Sequence, residues 1–149
     1  MRAVVQRVKE AFVKVDTETT GTIGPGLLVY LGITDSDEQA DLDFMVKKVT
    51  NLRIFEDEND VMNRSLLDVG GSLLVVSQFT LYGDARKGNR PSYIRAAKGE
   101  ISEPMYEKFV ETCRNLEIEV ETGRFGADMK VHSINDGPVT ILLDSERNF

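Results

Sequence analysis

Apolar and polar positions alternate from the first residues of the chain: Val4, Gln6 and Val8 fall on one face of an extended segment, Ala3, Val5 and Arg7 on the other. After Lys9-Glu10 the alternation resumes through Phe12, Val13, Lys14 and Val15, which predicts two short strands with a break between them. Thr22-Ile23-Gly24-Pro25-Gly26 reads as a turn feeding the apolar run Leu27-Leu28-Val29-Tyr30-Leu31. A run that short, bounded by Gly26 and Gly32, predicts a central strand. Two helices are marked by caps and by 3.6-residue spacing. Asp35 with Glu38 resembles a capping box, followed by Leu42, Met45, Val46, Val49 and Leu52. Ser102-Glu103-Pro104 predicts a second N-terminus, followed by Tyr106, Phe109, Val110 and Cys113 on one face. Between the helices lie a predicted Arg53-Ile54-Phe55 strand, a polar turn at 57–60, the Gly70-Gly71 pair and the buried run Leu73-Leu74-Val75-Val76. Beyond them, Ile118-Glu119-Val120-Glu121 alternates, and residues 129–134 and 139–143 read as two closing strands. The pattern is α+β: antiparallel or mixed β-sheets, barrel-like, with two main helices packed on them. With no repeat and no linker, residues 1–149 form a single domain.

Composition narrows the chemistry. The chain carries 18 Lys+Arg against 25 Asp+Glu, a net charge of −7, with one His, one Cys and no Trp. One Cys excludes an intrachain disulfide framework and multi-Cys metal sites, and one His excludes His-rich metal centres. No Gly-x-Ser-x-Gly elbow, Walker A loop or Gly-x-Gly-x-x-Gly is present, so no cofactor is expected. Gly24-Pro25-Gly26 fits a turn better than a phosphate loop. His132, in Lys130-Val131-His132-Ser133, fits a surface or half-buried strand residue better than a general base, and Cys113 fits a buried structural thiol. The opening residues lack the apolar core of a signal peptide, and no apolar run approaches the ~18–20 residues of a membrane span. A reduced, cytoplasmic setting without membrane contact is the expectation.

Three segments stand out. Ser77-Gln78-Phe79-Thr80 follows directly on the buried run, and polar groups at the end of a core strand must find partners or face a cleft. Asn135-Asp136-Gly137-Pro138-Val139-Thr140 holds a Gly-Pro pair, at which a cis bond costs only ~0.5–1 kcal/mol. Residues 85–98 gather five cations (Arg86, Lys87, Arg90, Arg95 and Lys98) with no acidic residue, which leaves −7 − 5 = −12 on the rest of the chain. Such a patch on an acidic protein suits local phosphate binding, and a solvated loop accounts for it equally well.

Together, the Ser77-Gln78-Phe79-Thr80 and Asn135-Asp136-Gly137-Pro138-Val139-Thr140 motifs and their order resemble the D-aminoacyl-tRNA deacylases. The resemblance extends through Val5-Gln6-Arg7-Val8, Gly26-Leu27-Leu28-Val29, Arg53-Ile54-Phe55, Met62-Asn63, Arg90-Pro91-Ser92 and Thr122-Gly123-Arg124-Phe125. It implies an esterase that removes D-amino acids from tRNA, acting as a homodimer in which the Gly-Pro of one subunit reaches the pocket of the other. Gly137 and Pro138, joined by a cis bond, would then exclude L side chains, and a glycyl ester would pass the same filter. Ser77, Gln78, Phe79 and Thr80 would form the catalytic strand end, with backbone N–H groups of Gln78, Phe79 and Thr80 stabilising the oxyanion. Thr80 would position or stabilise rather than attack, since no His stands at the motif to serve as its base. The 2′-OH of the terminal ribose would assist. Arg86, Lys87, Arg90 and Lys98 would hold acceptor-stem phosphates. The competing reading is a non-catalytic nucleic-acid-binding module that uses the basic 85–98 segment.

Overall fold

A computed structural model describes residues 1–149. The chain forms eight strands and three α-helices: β1 (Arg2–Val15), β2 (Glu18–Ile23), β3 (Gly26–Gly32), α1 (Gln39–Asn51), β4 (Phe55–Glu56), β5 (Met62–Arg64), α2 (Leu66–Val69), β6 (Ser72–Ser77), α3 (Gly99–Asn115), β7 (Val120–Thr122) and β8 (Lys130–Asp144). A single 3-10 turn, Phe79–Tyr82, follows β6. The main sheet runs β2-β1-β3-β6-β7, with β8 on the far edge of β1. It is mixed, since β3–β6 and β6–β7 are parallel and the other pairs are antiparallel. The parallel joins need crossovers, which α1 and α3 supply. Gly21 of β2 lies against the backbone of Thr122 in β7, so the sheet curls almost into a barrel.

β3 and β6 are buried on both faces, which explains why their sequences read as continuous apolar runs. Leu27, Val29, Leu31, Leu73 and Val75 join Leu42, Met45, Val49, Phe109 and Cys113 in the larger core beneath α1 and α3. On the opposite face, Leu28, Leu74 and Val76 meet Val8, Ala11, Val13 and Ile23 inside the curl.

Several boundaries differ from the sequence pattern. The two predicted N-terminal strands are one strand of 14 residues, because β8 pairs along nearly all of it and carries it through the Lys9-Glu10 break. The two closing strands are likewise one strand, β8, of 15 residues. Helix α1 starts at Gln39, and its capping box is Glu38 with Asp41 rather than Asp35 with Glu38. Asp37, just before it, accepts instead from the Thr34 N–H at 2.9 Å and from the Met1 amino group at 2.5 Å. Helix α3 starts at Gly99, so Pro104 lies inside it, and Ser102 turns back to donate to the Lys98 carbonyl at 3.0 Å. The Arg53–Phe55 strand reduces to the two-residue β4, paired only with β5. No helix is long and apolar enough to cross a membrane.

A Cβ on Gly26 would overlap the Ser72 carbonyl across the β3–β6 ladder. Gly26→Ala is therefore expected to lower stability by at least ~1–3 kcal/mol, the usual cost of overpacking, read as a lower urea midpoint.

Candidate functional site

The buried strand β6 ends at Ser77 opposite Leu31, and the chain must turn there because β3 ends one residue later. The Gln78 N–H still belongs to the sheet and donates to the Leu31 carbonyl at 2.8 Å. It is therefore unavailable to a substrate, unlike the role expected for it from sequence. Phe79 and Thr80 open the 3-10 turn, so their N–H groups have no partner within it. The Gln78 amide Nε2 donates to Thr80 Oγ1 at 2.5 Å. Since that amide nitrogen only donates, the Thr80 hydroxyl keeps its own proton free to donate outward.

Beside this turn lies a cavity of about 380 Å³. Ser77, Gln78 and Phe79 line it, together with Leu31 and Val76 from the sheet and Gly99 and Ser102 from the start of α3. The segment Phe125, Gly126, Ala127, Asp128 and Met129 forms the facing wall. Thr80 is exposed just outside this lining, reached through Gln78. The wall is braced from below: the buried Tyr106 hydroxyl donates to the Val75 carbonyl at 2.7 Å, and its ring packs on Phe125 at 5.8 Å. Sequence reasoning missed this wall and the α3 terminus as parts of the site. The only available signal was Thr122-Gly123-Arg124-Phe125, which carries no reactive group to mark it.

The second motif lies elsewhere. Gln6 pairs with Thr140 and Val8 with Asn135, so two steps along β1 face five along β8 and three residues loop out. Asn135 closes the loop by accepting from the Val139 N–H at 3.2 Å, while its Nδ2 donates to Thr140 Oγ1 at 3.2 Å. The buried Arg7 holds it from beneath, with Nε donating to the Asp136 carbonyl at 3.1 Å and Nη1 to the Ile54 carbonyl at 2.8 Å. The Gly137-Pro138 peptide is cis. Gly137 has φ of +135°, and a Cβ there would crowd Val139 and Arg7, so glycine is required. Both residues are exposed and neither lines the cavity. Val8, beside the loop, pairs with Gly26 at one end of β3, whereas Ser77 pairs with Leu31 at the other. Five residues of strand separate them, about 17 Å at ~3.3 Å per residue. One chain does not bring the two motifs together.

The five cations of residues 85–98 are not equivalent. Arg86 is tied to Asp84 by two side-chain hydrogen bonds of 2.9 and 2.6 Å, which hold the Asp84 carboxyl well below the usual carboxylate range. Arg95 pairs with Glu146 at 3.5 Å. Lys87, Arg90 and Lys98 are exposed and unpaired, and Lys98 caps α3 at the edge of the cavity. His132 is exposed on β8 and stacked on Phe12 at 4.4 Å; its neighbour Val131 lines the cavity, but His132 does not. Cys113 is fully buried.

A family profile described as D-Tyr-tRNA(Tyr) deacylase matches residues 4–144. The chain is 56% identical to a D-aminoacyl-tRNA deacylase of Thermosipho africanus and 58% identical to one of Clostridioides difficile, over the full length of every chain. The solved structure of the c-Myc DNA Unwinding Element Binding Protein superposes with a TM-score of 0.91 at 45% identity, covering 97% of this chain and 98% of that one. That of a probable eukaryotic D-amino acid tRNA deacylase superposes at 0.81 with 19% identity, over 95% and 97% of the two chains, a likeness of fold.

Burial pushes the Cys113 thiol up to about 12. Below that pH it stays protonated, so in the native protein it is expected to resist a thiol-specific disulfide reagent at pH 8 and to react fully once urea unfolds the chain. Rapid native labelling would contradict this placement.

Proposed function

Because the chain belongs to the D-Tyr-tRNA(Tyr) deacylase family, we propose that it hydrolyses the ester joining a D-amino acid to the 3′ end of tRNA, releasing free D-amino acid and tRNA. The observation that carries this reading is the strand end itself: a cavity lined by Ser77, Gln78 and Phe79, beside a Thr80 hydroxyl whose proton is free to point outward. An aminoacyl ester is already activated. Its hydrolysis requires a held carbonyl, an aimed water and donors for the oxyanion, more than a strong nucleophile. Water attacks the carbonyl carbon, the tetrahedral oxyanion accepts hydrogen bonds, and the carbon–oxygen bond to the ribose then breaks. The Phe79 and Thr80 N–H groups and the Thr80 hydroxyl are the donors. The neighbouring ribose 2′-OH passes its proton to the departing oxygen and takes up the proton that the attacking water gives up. In this scheme Thr80 is a donor, and its Gln78 contact keeps the proton facing the substrate.

Selectivity for the D configuration belongs to Gly137 and Pro138 of a second copy. The separation of the two motifs along β3 supports a shared pocket, since one chain supplies only one of them to each cavity. Arg7 and Asn135 hold the Gly137-Pro138 loop as a preset ridge. Seated in a partner's pocket, that ridge would occupy the space that an L side chain needs, while hydrogen in D-amino acids and in glycine passes. Glycyl-tRNA is therefore a second substrate. The unpaired Lys87, Arg90 and Lys98 hold acceptor-stem phosphates, with Arg86 the least available of the set because Asp84 engages it.

Incubation with D-tyrosyl-tRNA, glycyl-tRNA and L-tyrosyl-tRNA decides the matter. The first two are expected to lose their amino acid rapidly and the third only at the buffer rate. Binding of all three without turnover would instead support a nucleic-acid-binding module. Thr80→Ala is expected to lower kcat by about 10²–10³, the usual cost of one oxyanion donor. An unchanged rate would remove Thr80 from the mechanism.

A further inference from the structure

Resting on the deacylase reading, we propose that Phe79 and Tyr93 form a stacking platform for the unpaired nucleotides just upstream of the esterified 3′ end. Residues 84 and 92 are joined by two backbone hydrogen bonds, Asp84 N–H to the Ser92 carbonyl at 2.8 Å and Ser92 N–H to the Asp84 carbonyl at 2.9 Å. They close a hairpin-like finger whose tip carries Lys87 and Arg90. The Arg86–Asp84 pair lies across its base and cancels one cation there. At the foot of the finger Tyr93 meets Phe79 edge-to-face, with centroids 5.2 Å apart and planes at 73°. Phe79 also lines the cavity. The pair is therefore continuous with the site on one side and with the basic tip on the other.

Exposure makes the pair unusual. Phe79 is 56% exposed, Tyr93 42%, and the adjoining Ile94 85%. Two aromatic rings and an isoleucine left in water beside a cavity have a cost unless something covers them. The surrounding charge selects what that is: two unpaired cations at the tip and a third, Lys98, at the cavity edge suit a polyanion. Aromatic faces interleaved with cations are the physical requirement for single-stranded nucleic acid, where bases stack on rings while phosphates meet Lys and Arg. Duplex phosphates alone would not need the rings. The finger thus reads the charge of the tRNA end, and the aromatic pair directs its unpaired bases toward the cavity.

The test compares uncharged tRNA with the same tRNA trimmed of its last three nucleotides. Tyr93→Ala is expected to weaken binding of intact tRNA roughly 5- to 150-fold, the range of base–aromatic stacking, and to remove most of the affinity difference between intact and trimmed tRNA. Tyr93→Phe, which keeps the ring, is expected to restore both. In turnover, Tyr93→Ala should raise KM rather than lower kcat, with a larger loss on D-tyrosyl-tRNA than on 3′-(D-tyrosyl)adenosine. Wild-type affinity in Tyr93→Ala, or equal losses on intact and trimmed tRNA, would overturn the platform. So would a change in particle mass on light scattering, which would assign the rings to a contact between copies. Failure of the wild-type protein to cleave D-tyrosyl-tRNA would overturn the deacylase reading instead, while the binding comparison would still judge the platform.

Discussion

The parallel pairing of β3 with β6, buried on both faces, is the constraint on which the rest of the structure depends. Leu27, Val29, Leu31, Leu73 and Val75 face the helices, and Leu28, Leu74 and Val76 face the inside of the curled sheet. Each such side chain contributes ~1.5–3 kcal/mol of burial, so the two strands cannot separate locally. Apolar faces on both sides leave the register weakly specified by hydrophobicity alone. The close approach of Gly26 to Ser72 specifies it, because only glycine fits there. Ser77 then lands opposite Leu31, and everything after it is delivered from a rigid strand end.

Polar groups at that end follow a strict accounting. The Gln78 N–H completes the ladder, its side chain donates to Thr80, and the Phe79 and Thr80 N–H groups are left for whatever enters. A site built this way needs neither the sole His nor the sole Cys, and the fold uses both elsewhere. His132 stacks on Phe12 outside the cavity, and Cys113 fills the core under α3. The chemistry available is electrostatic and positional, carried by donors rather than by a charged nucleophile.

The loop at Gly137-Pro138 is the second rigid feature, and a buried Arg7 secures it. A guanidinium with little access to water must satisfy its donors within the protein, and the Asp136 and Ile54 carbonyls do so. The result ties β1, the segment before β4 and the β8 bulge into one unit at the end of the sheet away from the cavity. Within one chain that loop and the cavity are thus held apart. The net charge of −7 is unevenly spread, since residues 85–98 carry five cations and no acidic residue, and three of them, Lys87, Arg90 and Lys98, are unpaired.

Much of this was legible in the chain. The runs Leu27–Leu31 and Leu73–Val76 announce doubly buried strands, because nothing but burial on two faces tolerates unbroken apolar sequence. The helical stripes through Met45 and Phe109, the structural thiol at Cys113 and the two motifs follow from periodicity and residue type. Tertiary structure decided the rest. Long-range pairing with β8 carried β1 through Lys9-Glu10, since ladder hydrogen bonds outweigh a local break in alternation. Glu38 and Asp41, rather than Asp35 and Glu38, close the capping box of α1, while Asp37 is engaged by Thr34 and Met1. Phe125 to Met129 became a cavity wall only because Tyr106 and the sheet bring that segment to face Ser77. The five cations divided into paired and free because Asp84 and Glu146 lie within reach in space. Local pattern records which side chains prefer water. Which groups meet across the fold, and so which remain unsatisfied and able to act, is settled only when distant segments compete for the same partners.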